Sequence, residues 1–484
     1  MSIQEDGGAR KGGASCVPVR RDRIPRMSPD VTVIGGGLAG SEAALQAADR
    51  GAKVRLFEMR PHVQTGAHRT SSLAELVCSN SLGSQLPDRA SGILMAELAW
   101  MGSHLLGCAR ASAVPAGGAL AVDRQAFSAA VSRLVEQHPL IELVRQEVKS
   151  LPQDRVVVVA SGPLTSSGLA ESLVGLTGEA QLYFFDALSP IVEADSINTS
   201  VAFRGSRYDR GQEDLGDYLN CPMDRDEYEE FVDALRLAEK IELRSFEAAI
   251  LGGVRAGPER FFEGCLPVEV IAERGRDALA FGPMRPVGLR DPRTEVRPHA
   301  VVQLRQDDLA GQLYNLVGFQ TNLTYREQAR VFRMIPGLEN CRFARFGQMH
   351  RNTFINAPKL LKETLQTRAS DDILFAGQLT GVEGYLGNIA TGLLAGINAA
   401  RRVNGEAPLV LPRETMLGAL CHYVTHAAQT DFQPMKANFG ILPPLENVTK
   451  SGRRQRAQSM AARALQDLDS YLIASESLLE PAIN

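Results

Sequence analysis

Val31-Thr32-Val33-Ile34-Gly35-Gly36-Gly37-Leu38-Ala39-Gly40 is the stretch that decides the fold of this chain. An apolar run makes a strand, the glycines make a turn, and the small-residue run Ser41 to Arg50 makes a helix. A second strand, Lys53 to Phe57, ends at Glu58. The order strand, glycine turn, helix, strand, acid is that of a dinucleotide-binding βαβ unit. Gly35 permits the tight turn, Gly37 lets the backbone approach a pyrophosphate, and Gly40 lets the helix lie close to the strand. The helix N-terminus offers N–H groups and a positive dipole end to phosphates. Glu58 stands where a carboxylate accepts hydrogen bonds from both ribose hydroxyls. A glycine-rich turn that binds nothing is the alternative, and it leaves Glu58 unexplained.

With 484 residues the chain is long enough for two or three domains. Hydrophobic residues make up 44% and charged residues 22%, an ordinary balance. A net charge of −4 implies no global attraction to nucleic acid or to an anionic membrane, so charge has to be read locally. No apolar run approaches the roughly 18 residues of a spanning helix, and no secretory signal is evident. The 7 cysteines are scattered, and none forms a C-x-x-C pair. That pattern excludes zinc ribbons and thioredoxin-like centres and fits a reducing cytoplasm. No metal site is expected. Residues 1–28 are rich in Gly and Arg and read as a disordered leader, or as an extension upstream of a start at Met27.

The expected fold class is α/β: a Rossmann-like, discontinuous FAD-binding domain with an inserted α+β domain. Its first part spans 29–204. It includes helices from about Leu94 to Leu106 and Gln125 to Glu136, and a buried strand from Arg155 that ends at Gly162-Pro163. The insert spans 205–335. Within it Asp224-Arg225-Asp226-Glu227 resembles a capping box, followed by Tyr228, Phe231, Val232 and Leu235 at helical spacing. The second part spans 336–445. There a strand at 372–376 leads to Gly377, a turn through Gly384-Tyr385-Leu386-Gly387-Asn388 and a helix from Ile389 to Val403. That order aims a second helix N-terminus at the cofactor. Residues 446–484 form a helical tail. A second G-x-G-x-x-G is missing, so a nicotinamide reductant has no domain of its own and visits the flavin transiently.

Two cysteines sit in unusual contexts. Cys78 lies in Leu76-Val77-Cys78-Ser79-Asn80-Ser81, where polar neighbours suit a hydrogen-bonded site. Cys265 lies in Phe262-Glu263-Gly264-Cys265-Leu266-Pro267, a turn-prone string. A thiolate is a good nucleophile toward electrophilic carbon when its pKa is lowered or a base is near. The alternative for each is a small buried hydrophobe. Cys221, before Pro222, is a weaker candidate. Basic residues cluster at 342–368, 285–305 and 450–463. His350, Arg351 and Asn352 beside Phe343, Phe346 and Phe354 combine phosphate contacts with base stacking, or else form a solvated surface or pyrophosphate site.

Taken together, these strings resemble the TrmFO family of folate- and FAD-dependent tRNA (uracil-5-)-methyltransferases. The resemblance covers about 29–445. It rests on the glycine unit through Ala43, on Phe57-Glu58-Met59-Arg60-Pro61, on both cysteine strings, and on Gly377-Gln378 through Gly387. The related MnmG family shares the nucleotide unit but not the two cysteine contexts.

The resemblance implies 5-methyluridine formation in the tRNA T-loop, with methylenetetrahydrofolate as carbon donor and NADPH or NADH reducing FAD. It implies catalytic roles for Cys265, as the nucleophile at uracil C6, and for Cys78, as the assisting thiol, although the two roles could be exchanged. It places Gly35, Gly37, Gly40, Glu58, Gly377, Tyr385, Gly387 and Asn388 around the cofactor, with Tyr385 against the isoalloxazine. It makes tRNA the partner, with no membrane, and raises 342–368 to a tRNA surface. The T-loop base has to be flipped to be reached. Competing readings are a flavin-dependent NAD(P)H oxidoreductase, an MnmG-like enzyme modifying the wobble uridine, and a non-catalytic FAD-binding RNA partner.

Overall fold

The computed structural model describes residues 28–178, 182–209, 216–241, 266–445 and 452–477. The chain first lays down β1 (Val31–Ile34), α1 (Leu38–Asp49), β2 (Val54–Glu58), α2 (Ala90–Trp100), α3 (His104–Ala111), α4 (Arg124–Gln137), β3 (Ile141–Arg145) and β4 (Val156–Val159). It then builds a second body from β5 (Ile191–Glu193), β6 (Phe203–Gly205), β7 (Tyr218–Met223), α5 (Arg225–Leu237), β8 (Ala300–Gln306), β9 (Leu313–Leu316), α6 (Tyr325–Phe332) and β10 (Phe343–Arg345). It returns to the first body with β11 (Ile373–Phe375), α7 (Tyr385–Asn404) and α8 (Met416–His426).

The first sheet is parallel, in the order β11-β4-β1-β2-β3. Val31, Val33, Val156 and Val158 are fully buried, as expected where helices cover both faces. Because β11 comes from the far end of the chain, the sheet is discontinuous in sequence. Helices α1 and α7 pack directly against each other. A Cβ on Gly392 would lie 2.3 Å from the Ala39 carbonyl oxygen, and one on Gly396 would lie 2.4 Å from that of Ala43. Glycine is therefore required for this approach, and any larger side chain would push the helices apart.

The second sheet runs β6-β7-β8-β9-β5-β10 and is antiparallel. It has its own core, centred on Tyr228, Phe231, Phe319 and Phe332. Asp224 and Glu227 form the expected capping box on α5. The sheet extends beyond 205–335 on both sides, because the short strand β5 pairs with both β9 and β10. Such three-residue strands carry little periodic signal. The strands Leu182–Ala187 and Met349–Phe354 pair antiparallel where the chain leaves and re-enters the first body.

Two helices differ from their expected bounds. The stretch read as one helix from Leu94 to Leu106 is α2 and α3. Gly102 takes φ +74° between them, and the Ser103 side chain caps α3 by accepting from the Leu106 N–H. Helix α7 starts at Tyr385 rather than Ile389, with Gly384 at its N-cap in a positive-φ conformation. Tyr385, Gly387 and Asn388 are thus first-turn residues of a helix.

Buried carboxylates tie these helices together. Glu42 on α1 accepts from the N–H groups of His104 and Leu105 at the start of α3. Glu97 on α2 accepts from the N–H groups of Met416 (2.6 Å) and Leu417 (2.9 Å) at the start of α8. Burial pushes the Glu97 carboxyl up to about 7 from an ordinary 4.5, against the pull of those two hydrogen bonds. The folded-state value exceeds the unfolded one. The stabilisation is therefore complete below the ordinary carboxylate range and is lost as pH rises through 7. A shift of this size corresponds to roughly 3 kcal/mol. Glu97→Gln is expected to lack this pH dependence. The stability of the native chain relative to the variant, measured by denaturant unfolding, should fall between pH 5 and pH 8. A constant difference across that range would refute the assignment.

A candidate dinucleotide and thiol site

The glycine turn, the end of β2 and the start of α7 converge on one cleft. The cleft is partly enclosed and opens to solvent. Its walls include Gly35, Gly37, Glu58, Ser161, Gly377, Tyr385 and Asn388. Gly35 takes φ +105°, and a Cβ there would strike the Ala160 carbonyl oxygen at 2.5 Å. Gly37 has open space where a Cβ would be, so a ligand can approach its backbone. Gly40 and Gly387 act differently: each allows close packing, Gly40 against the Gly35 carbonyl oxygen and Gly387 against Val382. Neither lines the cleft wall.

Helices α1 and α7 begin at this cleft, and neither has a side-chain cap. Their first N–H groups remain available to an anionic ligand. Asn388 adds a buried Oδ1 atom with no hydrogen-bond partner. An unsatisfied buried acceptor is costly, and a ligand N–H or hydroxyl would relieve it. The open backbone at Gly37, two uncapped helix starts and an orphaned acceptor fit an adenine dinucleotide such as FAD.

Glu58 is more constrained than its sequence position suggests. Its carboxylate accepts from the Gly36 N–H, the Arg60 N–H and two guanidinium nitrogens of Arg60, at 2.9 to 3.2 Å. Burial alone would raise its pKa, but the hydrogen bonds and charge of Arg60 together hold it below the ordinary value. A ribose hydroxyl has to share an oxygen already in use. Arg60 is almost completely buried and also bonds the Thr70 carbonyl and Glu75. Glu75 in turn accepts from the N–H groups of Arg69 and Thr70. The chain Glu58–Arg60–Glu75 thus runs from the ribose end of the cleft to the segment that carries Cys78.

That segment is held firmly. The Tyr385 hydroxyl accepts from the backbone N–H of Cys78 at 2.8 Å and of Ser79 at 3.2 Å, across 307 positions of sequence. Burial, with Cys78 adding to it, pushes the Tyr385 phenol far above its ordinary pKa, so it stays protonated. Three arginines from different elements grip the same segment. Arg124 on α4 donates to the Leu76 carbonyl and pairs with Asp307. Arg305 on β8 donates to Asn80 Oδ1 and Ser79 Oγ. Arg345 on β10 donates to the Val77 carbonyl at 3.2 Å and reaches that of Cys78 at 3.5 Å. Burial, with the charge of Arg124 adding to it, lowers Arg345 to about 10. Cys78 itself is half-buried.

The other candidates divide clearly. Cys265 lies outside the described residues. Cys221 is a fully buried core thiol on β7, raised in pKa by that burial. Phe354 is also fully buried, packed edge-on against Phe432, so it offers no stacking face. In the 342–368 cluster, Arg342 is paired with Glu193 and Asp195, and Lys362 with Asp371. Away from the cleft, His422 and His426 stack at 4.1 Å beside Glu363. Both Nδ1 atoms approach the same Glu363 oxygen, at 2.6 and 3.5 Å, so the three side chains form a cluster with metal-ligand spacing that the sequence reading did not expect.

Comparison with known proteins agrees with this geometry. The family model described as glucose inhibited division protein A matches residues 30–407. A methylenetetrahydrofolate–tRNA-(uracil-5-)-methyltransferase TrmFO from Geobacter sulfurreducens is 55% identical over 446 residues, covering 92% of this chain and 99% of the relative. The chain belongs to the TrmFO family. A TrmFO protein from Thermosynechococcus vestitus is likewise 55% identical, over 94% of this chain and 97% of its own length. Among solved structures, Aquifex aeolicus GidA superposes with a TM-score of 0.66 at 18% identity, over 93% of this chain and 74% of GidA. The fold is therefore shared beyond TrmFO, in line with the FAD-binding architecture expected from the glycine unit.

Two substitutions test this construction. Arg60→Leu strands the buried Glu58 and the half-buried Glu75, a change that costs about 3–5 kcal/mol. The expected result is a lower unfolding midpoint and loss of bound FAD, read from the flavin absorbance per polypeptide. Tyr385→Phe leaves two backbone N–H groups without their acceptor, at about 1–3 kcal/mol. It should retain FAD but lose methylation through displacement of Cys78. Unchanged turnover would show that the clamp is dispensable.

Proposed function

We propose that this chain methylates C5 of the T-loop uridine of tRNA, with methylenetetrahydrofolate as the carbon donor and FAD, reduced by NADPH or NADH, as the redox cofactor. One observation carries this reading: the hydroxyl of Tyr385, a residue of the dinucleotide cleft, fixes the backbone of Cys78, which follows the cleft-lining Val77. A flavin oxidoreductase acting on small molecules has no need of a thiol segment held by three arginines.

The chemistry requires a nucleophile at uracil C6, because C5 is unreactive until negative charge is delivered to it. Cys265 is assigned that role, and Cys78 is the second thiol, which moves a proton or shields the incoming carbon. The methylene carbon bonds to C5, the C5 proton leaves to a base, and the bond from that carbon to its carrier amine breaks with the electron pair going to nitrogen. A hydride equivalent added to the exocyclic methylene then makes the methyl group, and expulsion of the C6 thiolate restores the ring; reduced FAD, when bound, would supply that hydride. The protein residues contribute position. Tyr385 and Arg345 fix the Cys78 backbone, Arg60 orients Glu58, and the uncapped first turns of α1 and α7, with Asn388, would hold the cofactor. The enzyme is assigned to the cytoplasm, where thiols remain reduced. Among the described residues no single helix is long and apolar enough to cross a membrane.

The decisive assay supplies unmodified tRNA transcript, NADPH and methylenetetrahydrofolate labelled in its methylene carbon, with a parallel reaction containing labelled S-adenosylmethionine. Label in T-loop 5-methyluridine from the folate reaction alone is expected. FAD that NADPH reduces, with no label in tRNA, would favour the oxidoreductase. Cys265→Ala should abolish transfer, and Cys78→Ala should slow it by roughly 10²-fold or more, with FAD retained in both.

A further inference from the structure

A column of three aromatic rings stands beside the thiol segment. Phe343 stacks on Phe346 at 4.8 Å with 22° between the planes, and Phe346 stacks on Tyr325 at 5.2 Å and 20°. The Arg333 guanidinium sits over the Phe343 ring, 5.9 Å from its centroid. At the other end Tyr325 is 46% exposed.

Aromatic pairs inside proteins take offset or edge-to-face arrangements. Ring pairs in the core of the second body are tilted or edge-on. A near-parallel row ending at the surface instead resembles a short base stack that lacks its last member. Proteins that take unpaired bases offer faces of this kind, because every base has a π-face.

The column is joined to the site through the backbone. Phe346 follows Arg345, whose guanidinium donates to the Val77 carbonyl one residue before Cys78. Tyr325 opens α6, and the exposed Arg326 follows it at the same helix start. A stacking face and the exposed Arg326 therefore lie together at the start of α6, a helix end capped by the Thr324 side chain and carrying Glu327 in its first turn. A protein ligand would be expected to find an apolar groove, but here the exposed feature is a single ring face with an arginine beside it.

We propose that the outer face of Tyr325 stacks an unpaired nucleobase of the bound tRNA, extending the Phe343–Phe346–Tyr325 column by one member. The proposal rests on the tRNA reading above and goes beyond it by naming the ring and the mode of contact. Tyr325 positions the RNA and takes no part in bond making.

The test measures binding of unmodified tRNA transcript to the FAD-loaded full chain by filter retention over a range of salt. Tyr325→Ala should weaken binding by about 10- to 100-fold, the loss expected for one base–aromatic stack. Tyr325→Trp should restore it. The salt slope should not change, because no phosphate contact is removed. FAD content and the unfolding midpoint of Tyr325→Ala confirm that it is folded. Binding of Tyr325→Ala equal to the native chain would overturn the proposal. So would a Tyr325→Trp variant as weak as alanine, or a reduced salt slope. If the native chain itself fails to bind tRNA, the tRNA reading falls as well, so the two failures can be told apart.

Discussion

The approach of α1 to α7 is the constraint on which the site depends. Gly392 and Gly396 leave room for the backbone at Ala39 and Ala43 and for nothing more. This contact joins two parts of the chain separated by the whole second body. It also brings two helix starts to one cleft, since each helix begins at the carboxyl end of a strand in the same parallel sheet. A helix N-terminus acts over about one turn. Gly392 and Gly396 are therefore part of what builds the binding site, although neither lines the cleft.

Charge does comparable work at the boundary between the two bodies. Arg124, Arg305 and Arg345 come from a helix of the first body and two strands of the second, and all three hold residues 76–80. Burying three guanidinium groups beside one paired aspartate is unfavourable unless their donors are satisfied. Backbone carbonyls and amide oxygens supply much of that satisfaction here. The same bonds stop the thiol segment from relaxing into an ordinary loop. The second body thus acts as a clamp on Cys78 as well as a separate fold.

Much of this was legible in the sequence because it follows local rules. The βαβ unit, the capping box at Asp224 and the return of the chain near Gly377 all rest on short-range patterns of glycine, acid and apolar spacing. The break between α2 and α3 escaped because apolar residues continue through it, and only Gly102 and Ser103 mark the turn. The extent of the second sheet escaped because β5 and β10 are too short to show alternation and find their partners only in three dimensions. At the site, Cys78 and Tyr385 stood out by context, whereas Arg60, Glu75, Arg124 and Arg305 did not. Arginines scattered along a sequence read as surface until the fold brings them together. Cys265 rests on its sequence context and on family membership.

The protonation states around Cys78 limit what the segment can do. Tyr385 is held protonated by burial, and its hydroxyl oxygen already accepts two backbone N–H groups, so it cannot serve as a base. Arg305 and Arg345, though lowered by burial, remain cations near neutral pH. Asp307 is engaged by Arg124. Among the described residues that hydrogen-bond to positions 76–80, none is left to exchange a proton in the working range. Arg124 lies close enough to Cys78 for the two charges to interact. Under the proposed function, the arrangement suits a cysteine that does its work while everything holding it stays the same.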